Sequence, residues 1–241
     1  MYWDGDSFEF EANQYDYSTA LSASHVSHLY WSKSASVAYA ASYSESGTST
    51  SDVFFTNATE TTAKSDFTVN GVTGKYRALS QTEWDYLFNT RNASTLTTAD
   101  GTPFNNVRYT RVRVGDYLGI MVFPDEFVWP DETIEHPRVY NDASGNNNHW
   151  SEAQVYTYEE WAILEAACCA FLPVEPANNN RNMAKYWAST SSGSNKAMYI
   201  YLNNGNIRSV SNPADPTNYY SQSYDNSFCV RLVRDYIPGQ E

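Results

Sequence analysis

The chain has 241 residues, which suits one large domain or two small ones and is long enough to bury a substantial core. Its formal net charge of -13 argues against nucleic acids and anionic membrane surfaces as partners, because both are bound through clustered Lys and Arg. Charged residues make up only 18% of the chain, whereas aromatic residues reach 16% and include 20 Tyr, more than a core alone needs. This composition predicts a surface of Tyr, Ser, Thr and Asn, with a Tyr-rich β-sheet protein as the plainer explanation.

Residues 1–6 are acidic and lack the basic start and apolar core of a secretory signal peptide. No stretch approaches the roughly 20 apolar residues of a transmembrane helix. We therefore expect neither a signal peptide nor membrane insertion.

A first helix is predicted over residues 80–89. Ser80 and Glu83 have the spacing of a capping box, which satisfies two backbone amides at a helix start. Trp84, Leu87 and Phe88 follow at helical spacing, so we expect them to form one buried face.

A second helix is predicted over residues 157–168, again opened by a capping box, here Thr157 and Glu160. Trp161, Leu164 and Cys168 mark its buried stripe, and Cys169 is expected to belong to the same helix. Together with Cys229 these thiols form no disulfide framework, and we interpret them as buried apolar groups.

The remainder of the chain indicates strands and loops. Residues 109–114 and 117–123 are rich in β-formers and flank Gly115 and Asp116, a two-residue hairpin signal. Two helices among many short strands predict an α+β fold rather than alternating βαβ units.

Near the C-terminus an alternating strand is predicted. Met198, Ile200 and Leu202 should point inward, while Tyr199 and Tyr201 should point outward and offer their area to a ligand. Asn204 and Gly205 predict a hairpin turn, from which Ile207 would begin a return strand. Residues 228–233 predict one last strand with Val230 and Leu232 on the same face.

The segment 186–233 interleaves a fixed-looking apolar frame, including Trp187, with many Asn, Tyr, Ser and Asp residues. These are the residue types of binding paratopes, because Tyr gives rigid contact area and the small polar residues give adaptable hydrogen bonds. The candidate ligand-binding residues are Asn195, Tyr199, Tyr201, Asn203, Asn206, Arg208, Ser209, Ser211, Asn212, Tyr219, Tyr220, Ser223, Tyr224, Asp225 and Asn226.

Signs of catalysis or metal binding are weak in comparison. The sequence contains no G-x-S-x-G element, H-E-x-x-H element or P-loop. His25 and His28 are closely spaced but have no obvious third ligand. The acidic pairs at 125–126 and 131–132 could hold a structural calcium ion, although they lack the spacing of an EF-hand. We therefore predict no cofactor, no metal site and no catalytic residue.

Two motifs near opposite ends of the chain carry a resemblance to a known fold. Residues 76–86, YRALSQTEWDY, resemble the helix start of the formylglycine-generating-enzyme-type C-type lectin fold, and residues 228–234, FCVRLVR, resemble its closing strand. Further segments resemble a set found in gut bacteria and their phages, and they lie at 10–17, 119–125, 165–168, 171–173 and 186–190. The resemblance covers nearly the whole chain and implies a single C-type lectin-like domain over 1–241, with two main helices, short antiparallel strands and long loops.

Several proteins of this fold are the variable proteins of diversity-generating retroelements, in which error-prone copying at adenines rewrites the 3′ end of the gene. The resemblance therefore implies a variable ligand-binding region over 180–235, bearing the candidate residues, many of which could descend from AAY codons. Lys196, Met198 and Gln222 depart from that pattern, and residues 213–216 form an unusual proline-bounded insert. A protein or surface-glycan ligand and a place on a virion or bacterial cell surface are implied.

Two other functions remain open from the sequence. One is a fixed-specificity surface or carbohydrate-binding domain of the same fold, without diversification. The other is an oxidase of the formylglycine-generating type, which relies on paired cysteines near the C-terminal core. Only Cys229 lies in that region, so the resemblance implies the fold and not the activity. A reactive Cys229 thiolate would favour the enzyme.

Overall fold

The computed structural model describes residues 2–3, 8–15, 28–30, 67–69, 72–91, 96–97, 103–104, 108–137, 153–174, 184–191, 196–202, 220–223 and 227–234. Over these residues the protein is α+β, as predicted. The strands are β1 (Tyr2–Trp3), β2 (Phe8–Glu9), β3 (His28–Tyr30), β4 (Phe67–Val69), β5 (Val72–Ala78), β6 (Leu96–Thr97), β7 (Pro103–Phe104), β8 (Tyr109–Val114), β9 (Tyr117–Val122), β10 (Gln154–Tyr156), β11 (Ala170–Pro173), β12 (Ala184–Ser191), β13 (Lys196–Leu202), β14 (Tyr220–Ser223), β15 (Ser227–Cys229) and β16 (Leu232–Val233). The helices are α1 (Gln81–Asp85), continued by a π-helical turn (Tyr86–Thr90), and α2 (Tyr158–Ala166).

Three larger sheets organise these strands. The N-terminal sheet has the order β1-β2-β4-β5-β16, the central sheet β10-β8-β9-β11, and the C-terminal sheet β14-β13-β12-β15-β3, while β6 and β7 form a separate pair. Most neighbours are antiparallel, but β10 runs parallel to β8, β15 to β12 and β4 to β2. The first and last described strands meet in one sheet, because β16 pairs with β5.

Both helices begin where the capping boxes predict. The Ser80 hydroxyl accepts a hydrogen bond from the Glu83 amide at 3.2 Å, and the Glu83 carboxylate accepts one from the Ser80 amide at 2.8 Å. Thr157 and Glu160 repeat the exchange at 3.2 and 2.7 Å. These reciprocal bonds satisfy amides that would otherwise lack partners in the first helical turn.

The end of α2 differs from the prediction. The helix stops at Ala166, and Cys168 takes a left-handed conformation with φ of 65°. Its amide bonds the Glu165 carbonyl at 2.9 Å, while the Cys169 amide reaches back to Leu164 at 3.0 Å. This turn exposes Cys168 and buries Cys169, so the predicted stripe was wrong at its last residue.

The predicted hairpin at Gly115 and Asp116 is confirmed. Val114 pairs with Tyr117, and Gly115 has φ of 55°, a conformation that costs glycine little. Its amide donates to the Tyr156 carbonyl at 2.9 Å, which joins the turn to β10.

The central sheet is buried on both faces. One face carries Val112, Val114 and Met121 and packs against α2, whereas the other carries Ile120 and Val122 and packs against α1 and the C-terminal sheet. The first core consists of Val112, Val114, Met121, Phe123, Phe127, Trp129, Ile134, Tyr156, Trp161, Leu164, Cys169 and Phe171. The second core consists of Trp84, Phe88, Ile120, Val122, Leu172, Val174, Ala184, Tyr186, Ala188, Ile200, Leu202 and Cys229.

The last strand was predicted as one element and is in fact two. Cys229 in β15 pairs with Tyr186 in the C-terminal sheet, whereas Leu232 in β16 pairs with Ala78 in the N-terminal sheet. Val230 is buried and Arg231 half-buried at the crossing. The chain must leave one sheet for the other there, so the β ladder is interrupted. The predicted turn at 204–205 and the return strand from 207 lie outside the described residues.

No helix in the described ranges has the length and apolar character needed to cross a bilayer.

A buried arginine joins the π-helical turn to the end of β9. Arg91 is 4% exposed and donates to the Leu87 carbonyl at 2.8 Å, the Phe123 carbonyl at 2.6 Å and the Asp125 carboxylate at 2.7 Å. It also donates to the Arg108 carbonyl at 2.9 Å, and Arg108 returns a bond to the Arg91 carbonyl at 2.7 Å. Guanidinium is suited to this role because its donors are fixed in one plane.

We predict that Arg91→Ala lowers the free energy of unfolding by about 2–4 kcal/mol, because it leaves buried carbonyls without donors. Asp125→Asn is the matched control. Asp125 is 54% exposed, so its loss of charge should cost less than about 1 kcal/mol. Chemical denaturation of both variants checks this, and equal losses would contradict the role given to the carbonyl contacts.

Candidate functional site

The candidate site lies on the C-terminal sheet, where β13 is paired on both sides. β12 runs antiparallel to it with Tyr186 opposite Ile200 and Trp187 opposite Tyr199, and β14 runs antiparallel with Tyr220 opposite Tyr199. Side chains on a strand alternate between the two faces of its sheet. One face of this ladder therefore meets the core, and the other carries the candidates Tyr199 and Tyr201.

The core-facing side matches the predicted frame. Tyr186, Ile200 and Leu202 are buried in the second core, and Met198 packs against its edge. The Tyr186 hydroxyl also donates to the Pro173 carbonyl at 2.6 Å, and burial raises the pKa of Tyr186 well above its ordinary value. These contacts fix the sheet against β11.

Hydrogen bonds with residues at the start of α1 hold the same sheet from a second side. The Ser189 amide donates to the Leu79 carbonyl at 2.9 Å, and the Gln81 amide donates to the Thr190 hydroxyl at 2.8 Å. The start of the capped helix is thus tied to the end of β12, and the ladder that carries the candidate residues is rigidly placed.

The opposite face carries an aromatic and cationic group that we call the outer cluster: Lys185, Trp187, Tyr199 and Tyr201. The Lys185 ammonium lies 5.7 Å from the ring centre of Tyr199 and 5.9 Å from that of Tyr201. The rings of Trp187 and Tyr199 pack edge to face with centres 6.1 Å apart. Such geometry gives cation–π attraction worth about 0.5–1 kcal/mol at exposed sites.

The outer cluster is less exposed than predicted. Tyr199 is only 7% exposed and Trp187 is 0% exposed, whereas Lys185 and Tyr201 are half-buried. The expectation that Tyr199 offers its full area to a ligand was therefore wrong, because its ring is used in packing against Trp187. Tyr201 is half-buried, so its ring remains partly accessible. Its aromatic face and the neighbouring ammonium can together contact a ligand that combines apolar and acceptor groups.

Only some of the remaining candidates lie in the part of the chain that the structure describes. Tyr220 and Ser223 lie in β14, with Ser223 opposite Lys196. The other candidate residues lie outside the described ranges, and they are Asn195, Asn203, Asn206, Arg208, Ser209, Ser211, Asn212, Tyr219, Tyr224, Asp225 and Asn226.

Lys185 was missed by the sequence analysis, although a signal was available. The alternation seen in 198–202 continues in β12, where Ala184 and Tyr186 are buried and Lys185 lies between them. The antiparallel register then places Lys185 opposite Tyr201. Pairing the two strands by their frame residues would have identified it.

The contacts of the thiols and the acidic pairs fit structural roles. Burial raises the pKa of Cys169 to about 12, which disfavours the reactive thiolate, and Cys229 is also buried. Asp125 pairs with Arg91, and the Asp131 carboxylate accepts from the amide and hydroxyl of Thr133 at 2.8 and 2.7 Å. Across the described residues, no three His, Cys, Asp or Glu side chains are grouped to hold one metal ion.

Comparisons with known proteins give no relative: no protein-family model, no curated protein and no solved structure matches this chain.

Packing in the outer cluster predicts different effects of three alanine substitutions. Trp187→Ala should lower the free energy of unfolding by about 3–5 kcal/mol and Tyr199→Ala by about 2 kcal/mol or more, because both rings are buried. Tyr201→Ala should change it by less than about 1 kcal/mol. Thermal and chemical unfolding of the three variants measures the order, and a stable Trp187→Ala protein would contradict the assignment.

Proposed function

We propose that this chain is a non-enzymatic ligand-binding protein, the variable protein of a diversity-generating retroelement in a phage or gut bacterium. The proposal includes a single domain of the formylglycine-generating-enzyme-type C-type lectin fold. Its variable region is 180–235, and its ligand is a protein or a surface glycan. Nucleic acid is not a partner, the chain does not insert into a membrane, and it works on a virion or bacterial cell surface.

The observation that carries this proposal is the difference between the two faces of the C-terminal sheet, one of which packs in the core while the other is partly exposed. Ile200 and Leu202 are held in the second core, while Tyr201 between them lies partly exposed on the other face. A ladder of this kind can change outward side chains while its core contacts stay constant, because partly exposed substitutions usually cost little. That property is what a diversified binder requires.

The composition of the region supports the same function. Asn, Tyr, Ser and Asp are concentrated among the candidate residues, and these are the residue types that AAY codons give when adenines mutate. They are also the residue types of adaptable paratopes, with Tyr as anchor. These residue types suit both ligand binding and an origin from AAY codons, so they favour a diversified ligand-binding protein.

A second candidate is a binding domain of fixed specificity. The burial of Tyr199 favours it, because replacing that ring by Asp or Ser would put a polar group into a packed position. If the region is diversified, Tyr199 must be one of its constant residues. The two functions therefore predict different amounts of variation at codon 201.

Deep sequencing of codons 180–235 in the source population separates them. The diversified binder predicts many residues at codon 201, with codons 187, 199 and 200 nearly constant. Constancy at codon 201 as well would leave the fixed-specificity domain. Variation that ignores the frame, equal at codons 200 and 201, would contradict both.

A further inference from the structure

A second candidate site lies away from the outer cluster, in a cavity of about 300 Å³ beside α1. Its described walls include Trp84 and Leu87 from the first helical segment, Val122 from β9 and Leu172 from β11. This volume falls at the lower end of the roughly 300–1,000 Å³ typical of small-molecule pockets. The cavity is thus large enough for a small organic ligand.

Two charged residues also line this cavity, and their surroundings differ. The Glu83 carboxylate is bound by the Arg77 guanidinium at 2.6 and 2.8 Å and by the Ser80 amide at 2.8 Å. Burial by itself would raise the pKa of Glu83, but these bonds outweigh it and the pKa is lowered, so the group is held as an anion with its charge matched. Glu83 therefore presents little unmatched negative charge to the cavity.

Arg231 is the other charged residue in the wall. Its guanidinium donates to the side-chain oxygen of Gln14 at 2.6 Å, a neutral acceptor. Gln14 is held in turn, because its side chain accepts from the Phe171 amide at 2.9 Å and donates to Glu165 at 2.6 Å. Desolvation lowers the pKa of Arg231, and the charge of nearby Glu165 offsets only part of this effect, so an anion in the cavity would stabilise the charged form further.

Trp84 also lines the cavity, and its indole N–H is buried. The residue is 1% exposed, and its indole N–H has no acceptor among the residues that the structure describes. A buried donor without an acceptor costs about 1–3 kcal/mol, and most buried polar groups in proteins avoid that cost.

We propose that this cavity binds a small carboxylic acid with an apolar chain. The chain lies against Leu87, Val122 and Leu172, and the carboxylate is held by Arg231. Carboxylates bind guanidinium through strong charge-assisted hydrogen bonds, which makes this headgroup the best match to the wall. The site is separate from the outer cluster and does not depend on the function proposed for it.

Octanoate is the probe, with 1-octanol and octylammonium as controls of the same chain length. The full chain, labelled with ¹⁵N in its indoles, is titrated with each compound, and the Trp84 indole resonance is assigned through Trp84→Phe. Octanoate should shift this resonance in a saturable way. The alcohol and the amine should bind at least about tenfold more weakly, as expected for loss of one charge-assisted contact.

Two variants test the assignment from different sides. Arg231→Gln should weaken octanoate binding by about ten- to a hundredfold, and Leu87→Trp, which fills the cavity, should abolish it. Tyr201→Ala is the matched control and should leave octanoate affinity unchanged, since Tyr201 does not line the cavity. Thermal unfolding confirms that each variant is folded. If one cavity variant does not fold, the other still decides.

Three results would overturn the proposal. The first is that octanoate leaves the Trp84 indole resonance unmoved. The second is that 1-octanol binds as well as octanoate, which would remove the carboxylate contact. The third is that a folded Leu87→Trp protein keeps its octanoate affinity.

Discussion

The fold depends on the burial of the β8–β9 hairpin on both faces. The close approach of Phe171 to Gly119 fixes the fit on one side: a Cβ on that glycine would lie only 2.2 Å from the Phe171 ring, so no other residue fits without a shift. Phe171 in turn packs against Trp161 with ring centres 5.3 Å apart, which carries the contact into α2. A sheet sandwiched in this way serves as the common wall of two cores.

Packing against the central sheet keeps the candidate site rigid. Trp84 of α1 lies over Phe88 and Tyr186, with ring centres 5.8 and 6.2 Å apart, and so connects helix, central sheet and C-terminal sheet through one core. Because β12 and β13 contribute alternate residues to this core, the positions of the residues between them are set by the same packing. Lys185 and Tyr201 therefore hold a defined relation to each other without being deeply buried. A rigid platform of this kind lowers the ordering cost of binding.

Local signals in the sequence predicted much of this. Both capping boxes, the Gly115 turn and the burial of Trp84 and Trp161 follow from short-range spacing, and the structure confirms them. Non-local pairing could not be predicted in the same way. The split of the last strand depends on which distant strands, β12 and β5, its two halves meet, and no local pattern encodes that choice. The left-handed turn at Cys168 was missed because the residue there is not Gly or Asn, the usual signals for it.

The burial of Tyr199 shows a further limit of period-two reasoning. Alternation correctly assigned the side chain to the face opposite the core, but exposure also depends on what packs on that face, here Trp187. Both tyrosines of β13 share this face, yet only Tyr201 keeps substantial access to solvent. The distinction between them decides which positions of the region can change freely.

We infer that the core face of β12 and β13 holds the fold, whereas Lys185 and Tyr201 can be replaced without loss of the fold. Saturation mutagenesis of residues 184–202, sorted for protease resistance of the displayed protein, measures this directly. We expect tolerance at Lys185 and Tyr201, with intolerance at Tyr186, Trp187, Tyr199, Ile200 and Leu202. Equal intolerance at Tyr201 and Ile200, or free substitution of Trp187 and Tyr199, would contradict it.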